Sequence, residues 1–532
     1  MQQPRFAGCI IAFLALSLAG GHRLAAQADQ PYGAATEQPP TPAEEQPEVL
    51  TRGPVHEAFA EPVDLQVQAG LVAPSRPPAV IEEIPPAERP QGDRFVWVPG
   101  YWSWDGDRNN YIWVGACWRV APPKMYWVPG YWSQVTGGWE WVSGFWAPAG
   151  VQEIEYLPAP PAVDDVQPPG PPPSADKTWV PPCWYWYQGQ YIRRAGYWLA
   201  AQPNWVWVPS HYVWTPRGYV FCDGHWDYPL ETRGVLFAPV YFPPSVYRRS
   251  GFSYSPSIVV DLGVLTANLF VYPRYSHYYF GDYYDASYVR IGIYPRFEGD
   301  RIHTWYDPIY EHDRSRHRRT DPRWEEHQRH EYDLRRDDKQ LRPARTYREQ
   351  EIRLARLPES QRRTLEVAQL LTTVVARKAT PVKFKQIKAD ARHNIARQAT
   401  EVQKFREDRT RWEVTPAVAK TGQPLTEHKD LVKPTDRKEV VTQPPARKDV
   451  VKPTDRKELV TRSVEQQSPF VPAREVHLAK PERVKIPPPP IVARQGILDA
   501  FKKGPPARPA DEQKHKAEAK DTRKGKGKQK NK

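Results

Sequence analysis

Methionine is almost missing from this chain, with 2 residues in 532. Met is the usual filler of irregular core gaps, so any core here is built from stiffer groups. Cysteine is scarce at 4, which excludes a disulfide-dense scaffold. No later apolar run approaches the ~20 residues of a membrane-spanning helix. Excess negative charge is also lacking: the net charge is +13. That excludes an acidic solvating chain and makes a polyanionic partner physically reasonable. Gly-x-Ser-x-Gly, P-loop and dinucleotide fingerprints are absent. The sequence therefore supplies no catalytic chemistry, and neither enzymatic activity nor a cofactor is expected.

What the chain has in excess is Pro and Trp. Pro stands at 60, about 11%, against an average of ~5%. Trp, at 21, outnumbers Phe at 16. Residues 1–28 read as a secretory signal: Arg5 in the n-region, Ile10 to Leu18 as the h-region, and Ala26-Gln27-Ala28 as the cleavage site. The mature chain is expected to begin at Asp29 and to be exported to the periplasm, cell envelope or medium. Cys9 leaves with the signal. Cys117, Cys183 and Cys222 remain, enough for at most one internal disulfide, with Cys183–Cys222 the pair considered.

Residues 29–92, rich in Pro, Glu, Gln and Ala, read as a disordered spacer. The texture then changes. Eighteen of the 21 Trp fall between Trp97 and Trp226, in eight related copies. The first block (93–150) holds copies beginning at Trp97, Trp113, Trp127 and Trp141, and the second (177–228) holds copies beginning at Trp179, Arg193, Trp207 and Phe221. The form is clearest in Trp97-Val-Pro-Gly-Tyr-Trp102 and Trp127-Val-Pro-Gly-Tyr-Trp132. Alternating aromatics predict a strand in each copy, and Gly- and Asn-rich turns join them as hairpins. A one-residue bulge at the Pro-Gly would bring the aromatics at 95, 97 and 102 onto one face. The fold expected is mainly β: two four-stranded antiparallel aromatic-repeat meanders, then a helical hairpin region and long disordered segments. Residues 151–176 read as a stiff Pro-rich linker, and 229–312 as short strands and loops. In 313–412, Leu365, Ala368, Leu371 and Val375 predict one helix, and Phe384 to Phe405 predict a second, antiparallel to it. Residues 413–532 read as a disordered basic tail. It carries a heptapeptide repeated at 433–439 and 452–458, and 501–532 hold 12 Lys or Arg against 4 Asp or Glu.

The Trp-x-x-Gly-x-Trp copies resemble the YXWGXW (WXXGXW) repeat family of bacterial exported and envelope proteins. Copies 97–102, 127–132 and 141–146 match that form outright, while those at 113, 179, 193, 207 and 221 shift or lose the Gly or a Trp. The resemblance covers about 130 residues of the chain. It implies export and an envelope setting, and no catalytic residues come with it.

Two readings of the aromatics follow. They are either cement for small sheets, since each ring can bury ~150–250 Å², or a platform that stacks on a flat ligand such as polysaccharide or peptidoglycan. The stacking candidates are Trp97, Trp102, Trp113, Trp118, Trp127, Trp132, Trp141 and Trp146 in the first block, with Trp198, Trp207 and Trp226 in the second. Cys183, His211, Cys222 and His225 are weak metal candidates by ligand type, without a paired Cys-x-x-Cys. His327 and His330 read as a solvated helix face, and Asp282 and Asp285 as a loop in preference to a carboxylate pair. The expected function is a non-enzymatic envelope protein whose repeats act as a structural, assembly or polymer-binding platform, with self-association open. The alternatives are a polyanion-binding protein acting through 501–532 and an envelope-polymer hydrolase.

Overall fold

Each pair of consecutive copies folds into one antiparallel hairpin, because alternating aromatics favour a pleated strand and Asn110, Gly138, Gln190 and Gly218 follow tight turns. The computed structural model describes residues 46–164, 166–299, 304–377, 380–414 and 481–485. Within these, the first hairpin pairs Phe95–Val98 with Cys117–Val120 and Tyr101–Asp105 with Asn110–Val114. The second pairs Met125–Val128 with Phe145–Pro148 and Tyr131–Val135 with Gly138–Val142. The third pairs Lys177–Val180 with Tyr197–Ala200 and Cys183–Tyr187 with Gln190–Arg194. The fourth pairs Val206–Val208 with His225–Asp227 and His211–Thr215 with Gly218–Cys222. The register sets the first Trp of one copy opposite the last aromatic of its partner: Trp97–Trp118, Trp127–Trp146, Trp179–Trp198 and Trp207–Trp226.

The mainly β class with helices in the C-terminal half is as expected. The interruption at Pro-Gly is larger than a one-residue bulge. In the first hairpin Val98 faces Cys117 and Tyr101 faces Val114, so Pro99-Gly100 stands against Gly115-Ala116 with both pairs out of the ladder. Pro99 has no N–H to give, and the neighbouring N–H groups bond elsewhere. The base and tip of each hairpin therefore belong to different sheets, and hydrogen bonding runs within pairs of copies, not between them as a four-stranded meander requires. The base of the first hairpin takes Gly234–Leu236 as a third strand, and its tip takes Val240–Tyr241 and then Glu48–Val49. Phe95 and Trp97 lie in one apolar cluster with Trp118 and Phe237, whereas Trp102 lies in another with Trp113 and Val240.

Residues 46–92 correct the expectation of a spacer. They run extended across the hairpins as short strands, such as Val72–Ala73 against Trp139 and Glu140, and bury Val55, Ala58 and Phe59. Extended Pro-rich chain cannot make its own core, but here the aromatic hairpins supply one. The linker likewise contributes a strand, Glu153–Leu157, between Gly218–Cys222 and Glu482–Lys485.

The first helix expected in 313–412 is interrupted: Glu359–Leu365 and Leu371–Ala376 are helical, but Ala368–Leu370 pairs as a strand with Ile258–Val260. Tertiary pairing there overrides the helical period. The second helix forms only from Ala389 to Val414, where it buries Ala396, Ala399, Val402 and Phe405; Phe384–Gln386, expected in it, pairs instead as a strand with Glu88–Pro90. Among the described residues no helix is long and apolar enough to cross a membrane. The signal sequence and nearly all of the basic tail lie outside the described residues.

Candidate ligand-binding face

The broken ladders create backbone groups that need partners, because an unpaired buried N–H or C=O costs about 1–3 kcal/mol. The extended segment and the long helix supply them. Glu83 accepts from the N–H of Gly100 at 2.8 Å and of Ala116 at 3.0 Å. Glu57 accepts from the N–H of Gly130 and Gly144 at 3.2 Å, and from the Trp141 indole at 3.3 Å. Burial pushes both carboxyls up to about 7, against the pull of these donors.

The carbonyls of the same breaks face other partners. Arg409 donates to Pro129 O at 2.9 Å and to Ser143 O at 2.8 Å, and is paired with Glu413 at 2.9 Å. Glu413 in turn accepts from the hydroxyls of Tyr131 and Tyr156. In the first hairpin, Nε2 of His56 donates to Pro99 O at 3.1 Å, since its Nδ1 accepts from Ala58 N–H.

The repeat's Gly has a second role. A Cβ on Gly144 would lie 2.3 Å from the Trp127 ring, on Gly130 2.6 Å from Trp141, and on Gly196 2.3 Å from Trp179. In these copies the first Trp thus lies over the Gly of its partner copy, which explains the spacing of Trp and Gly there in steric terms. The fourth hairpin has Ser210 at the Gly place, and the Ser210 hydroxyl accepts from Gly224 N–H at 2.8 Å. In the third, Pro182 occupies that place and removes one donor.

These hairpins differ in exposure. Of the stacking candidates, Trp97, Trp102, Trp113, Trp118, Trp127, Trp141, Trp146, Trp207 and Trp226 are buried, and only Trp132 and Trp198 are half-buried. A ring enclosed on both sides cannot stack on a ligand, so the nine buried rings act as packing. Trp97 and Trp118, for example, meet edge to face at 5.0 Å. The third hairpin is different: Trp179, Trp184, Trp186 and Trp198 are all half-buried, as are Tyr185, Tyr187, Tyr191 and Tyr197. Trp179, Trp184 and Trp186 were not among the sequence candidates. The available signal was the departure from the motif, with Pro182 in place of Gly and Arg193 in place of Trp; Arg193 is exposed and faces Trp184 in the ladder.

The linker drapes over this hairpin. Val166 O accepts from the Trp179 indole at 2.8 Å, and Ala162 O from the Trp184 indole at 3.1 Å. Between the linker, residues 64–67 and the third and fourth hairpins lies a cavity of about 340 Å³, lined by Asp64, Cys183, Trp184, His211 and Tyr212 among others.

The metal candidates do not form a ligand set. Nδ1 of His211 donates to Pro209 O at 3.0 Å and Nδ1 of His225 to Asp223 O at 3.1 Å, so both histidines close break carbonyls of their own hairpin. In the ladder Cys222 faces His211 and Cys183 faces Arg194. Among the described residues no three His, Cys, Asp or Glu side chains converge as a metal ion requires. Cys117, Cys183 and Cys222 are all outside disulfides, so the Cys183–Cys222 bond does not form. Cys183 Sγ donates to Trp184 O, and Asp64 accepts from the Gln66 N–H. Asp282 and Asp285 share the guanidinium groups of Arg342 and Arg345 in an ion-pair cluster. His327 and His330 sit on the helix Trp324–Asp337, which buries none of its residues.

Comparison with protein families, with curated proteins and with solved structures finds no match. The likeness to the YXWGXW repeat family therefore rests on the repeat motif alone.

Proposed function

We propose that the protein is a non-enzymatic exported envelope protein whose two repeat blocks divide the work. The first block is structural: its buried Trp pairs and inserted carboxylates hold the fold together. The second block presents the third hairpin, whose half-exposed Trp and Tyr rings form a face for a polysaccharide or peptidoglycan strand. The observation that carries this reading is the contrast in burial. Seven of the eight motif Trp in the first block are buried, whereas all four Trp of the third hairpin are half-buried. Flat rings flanked by Arg193 and tyrosine hydroxyls suit a ligand with C–H faces and many hydroxyls.

The test uses the full chain in pull-down on isolated envelope polymers, with thermal unfolding measured in parallel. Trp186→Ala and Trp198→Ala are expected to weaken binding several-fold while leaving the unfolding temperature nearly unchanged. Trp113→Ala is expected to destabilise by about 3–5 kcal/mol. Binding unaltered by both third-hairpin substitutions overturns the reading.

A further inference from the structure

The 340 Å³ cavity beside the third hairpin has the size of a small-ligand site, at the lower end of the usual range of about 300–1,000 Å³. Its apolar walls are flat: Pro160, Pro161, Pro182, Trp184 and Tyr212. Two of these rings are fixed in place. The Trp184 indole donates to Ala162 O, and the Tyr212 hydroxyl donates to Trp184 O at 2.9 Å. A wall pinned in this way binds without first losing side-chain freedom.

Asp64 and His211 on the lining offer acceptors, beside the amide of Gln66 and the hydroxyl of Ser210, which can both donate and accept. Asp64 Oδ1 takes the Gln66 N–H at 2.8 Å, and Asp64 has no other side-chain partner among the described residues. Burial pushes its carboxyl up to about 7, opposed only by that N–H, so above about pH 7 it is an ionised acceptor with no cation paired to it among the described residues. His211 gives its Nδ1 proton to Pro209 O, which leaves a lone pair on Nε2; burial keeps the ring neutral by lowering its proton affinity. The Tyr212 hydroxyl has already spent its proton on Trp184 O. Among the described residues of the lining there is no Lys or Arg; Arg193 donates to the Asp164 carbonyl. A flat-walled site with the Asp64 and His211 acceptors, and no Lys or Arg on its described lining, favours a ligand that carries hydroxyl donors on a ring. It disfavours an acidic one, because Asp64 and Asp164 would repel it.

We propose that this cavity binds one unit of a non-acidic saccharide, its ring face against Trp184 and Tyr212 and its hydroxyl protons donated to Asp64 and to Nε2 of His211. The proposal rests on the polymer-binding reading above and specifies its ligand: the third hairpin would hold a strand of neutral sugar polymer, and the cavity would take one of its units.

Cys183 provides a reporter in the unaltered protein. It lines the cavity and is half-buried, whereas Cys117 and Cys222 are buried. The full chain is labelled with N-ethylmaleimide, and the Cys183 peptide is quantified by mass spectrometry. Labelling is carried out with soluble oligomers of N-acetylglucosamine, glucose or mannose, or with an oligogalacturonate. At least one neutral oligomer is expected to slow Cys183 labelling in a saturable way, and oligogalacturonate to leave it unchanged. At about pH 8, where the Asp64 carboxyl is mostly ionised, Asp64→Asn, which keeps the shape, is expected to raise the protecting concentration roughly tenfold, as losing a charged hydrogen-bond acceptor does. Protection by none of the neutral oligomers overturns the cavity assignment, and the polymer-binding reading survives if the third-hairpin substitutions still weaken pull-down. Equal protection by oligogalacturonate overturns the assignment to a non-acidic sugar. If Asp64→Asn has no effect on a folded protein, the role given to that carboxylate is wrong.

Discussion

Gly144→Ala is the sharpest probe of how the repeats hold together. The new methyl carbon would lie 2.3 Å from Cζ2 of Trp127 and 2.7 Å from the carbonyl oxygen of Val128. The Trp127 ring has little room to retreat, because it is buried and packs on Trp146 at 5.2 Å. The Val128 carbonyl is fixed in the ladder opposite Phe145. Overpacking of this kind costs about 1–3 kcal/mol. Displacing the Gly144 N–H from Glu57 adds about 1 kcal/mol. The expected loss is therefore about 3 kcal/mol. The control is Gly106→Ala, at a turn where a Cβ meets nothing within 4 Å. It should stay within about 0.5 kcal/mol of the parent. Urea unfolding followed by Trp fluorescence measures both, read as a shift in midpoint at constant slope. If Gly144→Ala unfolds at the same midpoint as Gly106→Ala, the steric account of the motif is wrong.

Three further outcomes follow from the inserted side chains. Glu57 has its folded value raised to about 7, so the stability it contributes is complete below about pH 4.5 and is lost as pH rises through about 7. Buried His56 and His277, held down to about 3 and about 4, act in the opposite sense: their contribution is complete above about pH 6.5 and is lost as pH falls from there toward those values. The clean measurement is the difference in unfolding free energy between the parent and Glu57→Gln. It should fall by roughly 3 kcal/mol between about pH 4.5 and about pH 8, and a flat difference refutes the assignment. Arg409→Met leaves Glu413 buried without its cation and the carbonyls of Pro129 and Ser143 unsatisfied, so urea unfolding should show a loss of about 3–5 kcal/mol. Arg409→Met with Glu413→Leu should lose less than Arg409→Met alone, because no lone charge stays buried.

The hairpins were legible in the sequence because Trp, Gly and turn residues recur at fixed spacing, and the register between Trp97 and Trp118 follows from that symmetry. The long helix was legible from Ala391, Ile395, Val402 and Phe405, which keep a helical period, while its expected start at Phe384 was lost to strand pairing with Glu88–Pro90. Glu57 and Glu83 were not legible. They sit in chain whose Pro-rich composition signals disorder, and their role depends on hairpins that lie later in the sequence and leave N–H groups unpaired. Ala368–Leu370 was misread because its strand partner, Ile258–Val260, lies more than a hundred residues away. In the candidate face, the roles of His211 and His225 were hidden because a His two residues after a break carbonyl looks the same in sequence whether it caps that carbonyl or binds a metal. The exposure of Trp184 was partly visible in its cross-strand partner, Arg193, which stands where the other copies have Trp or Phe.

The division between a packed first block and an open third hairpin is tested most directly by hydroxyl-radical footprinting of the native full chain, resolved to single Trp residues by mass spectrometry. Trp179, Trp184, Trp186 and Trp198 are expected to oxidise readily and to be protected when envelope polysaccharide is added, while Trp97, Trp113, Trp118 and Trp141 stay unmodified with or without it. Equal oxidation of the two groups, or polysaccharide protection confined to the first block, would contradict the account.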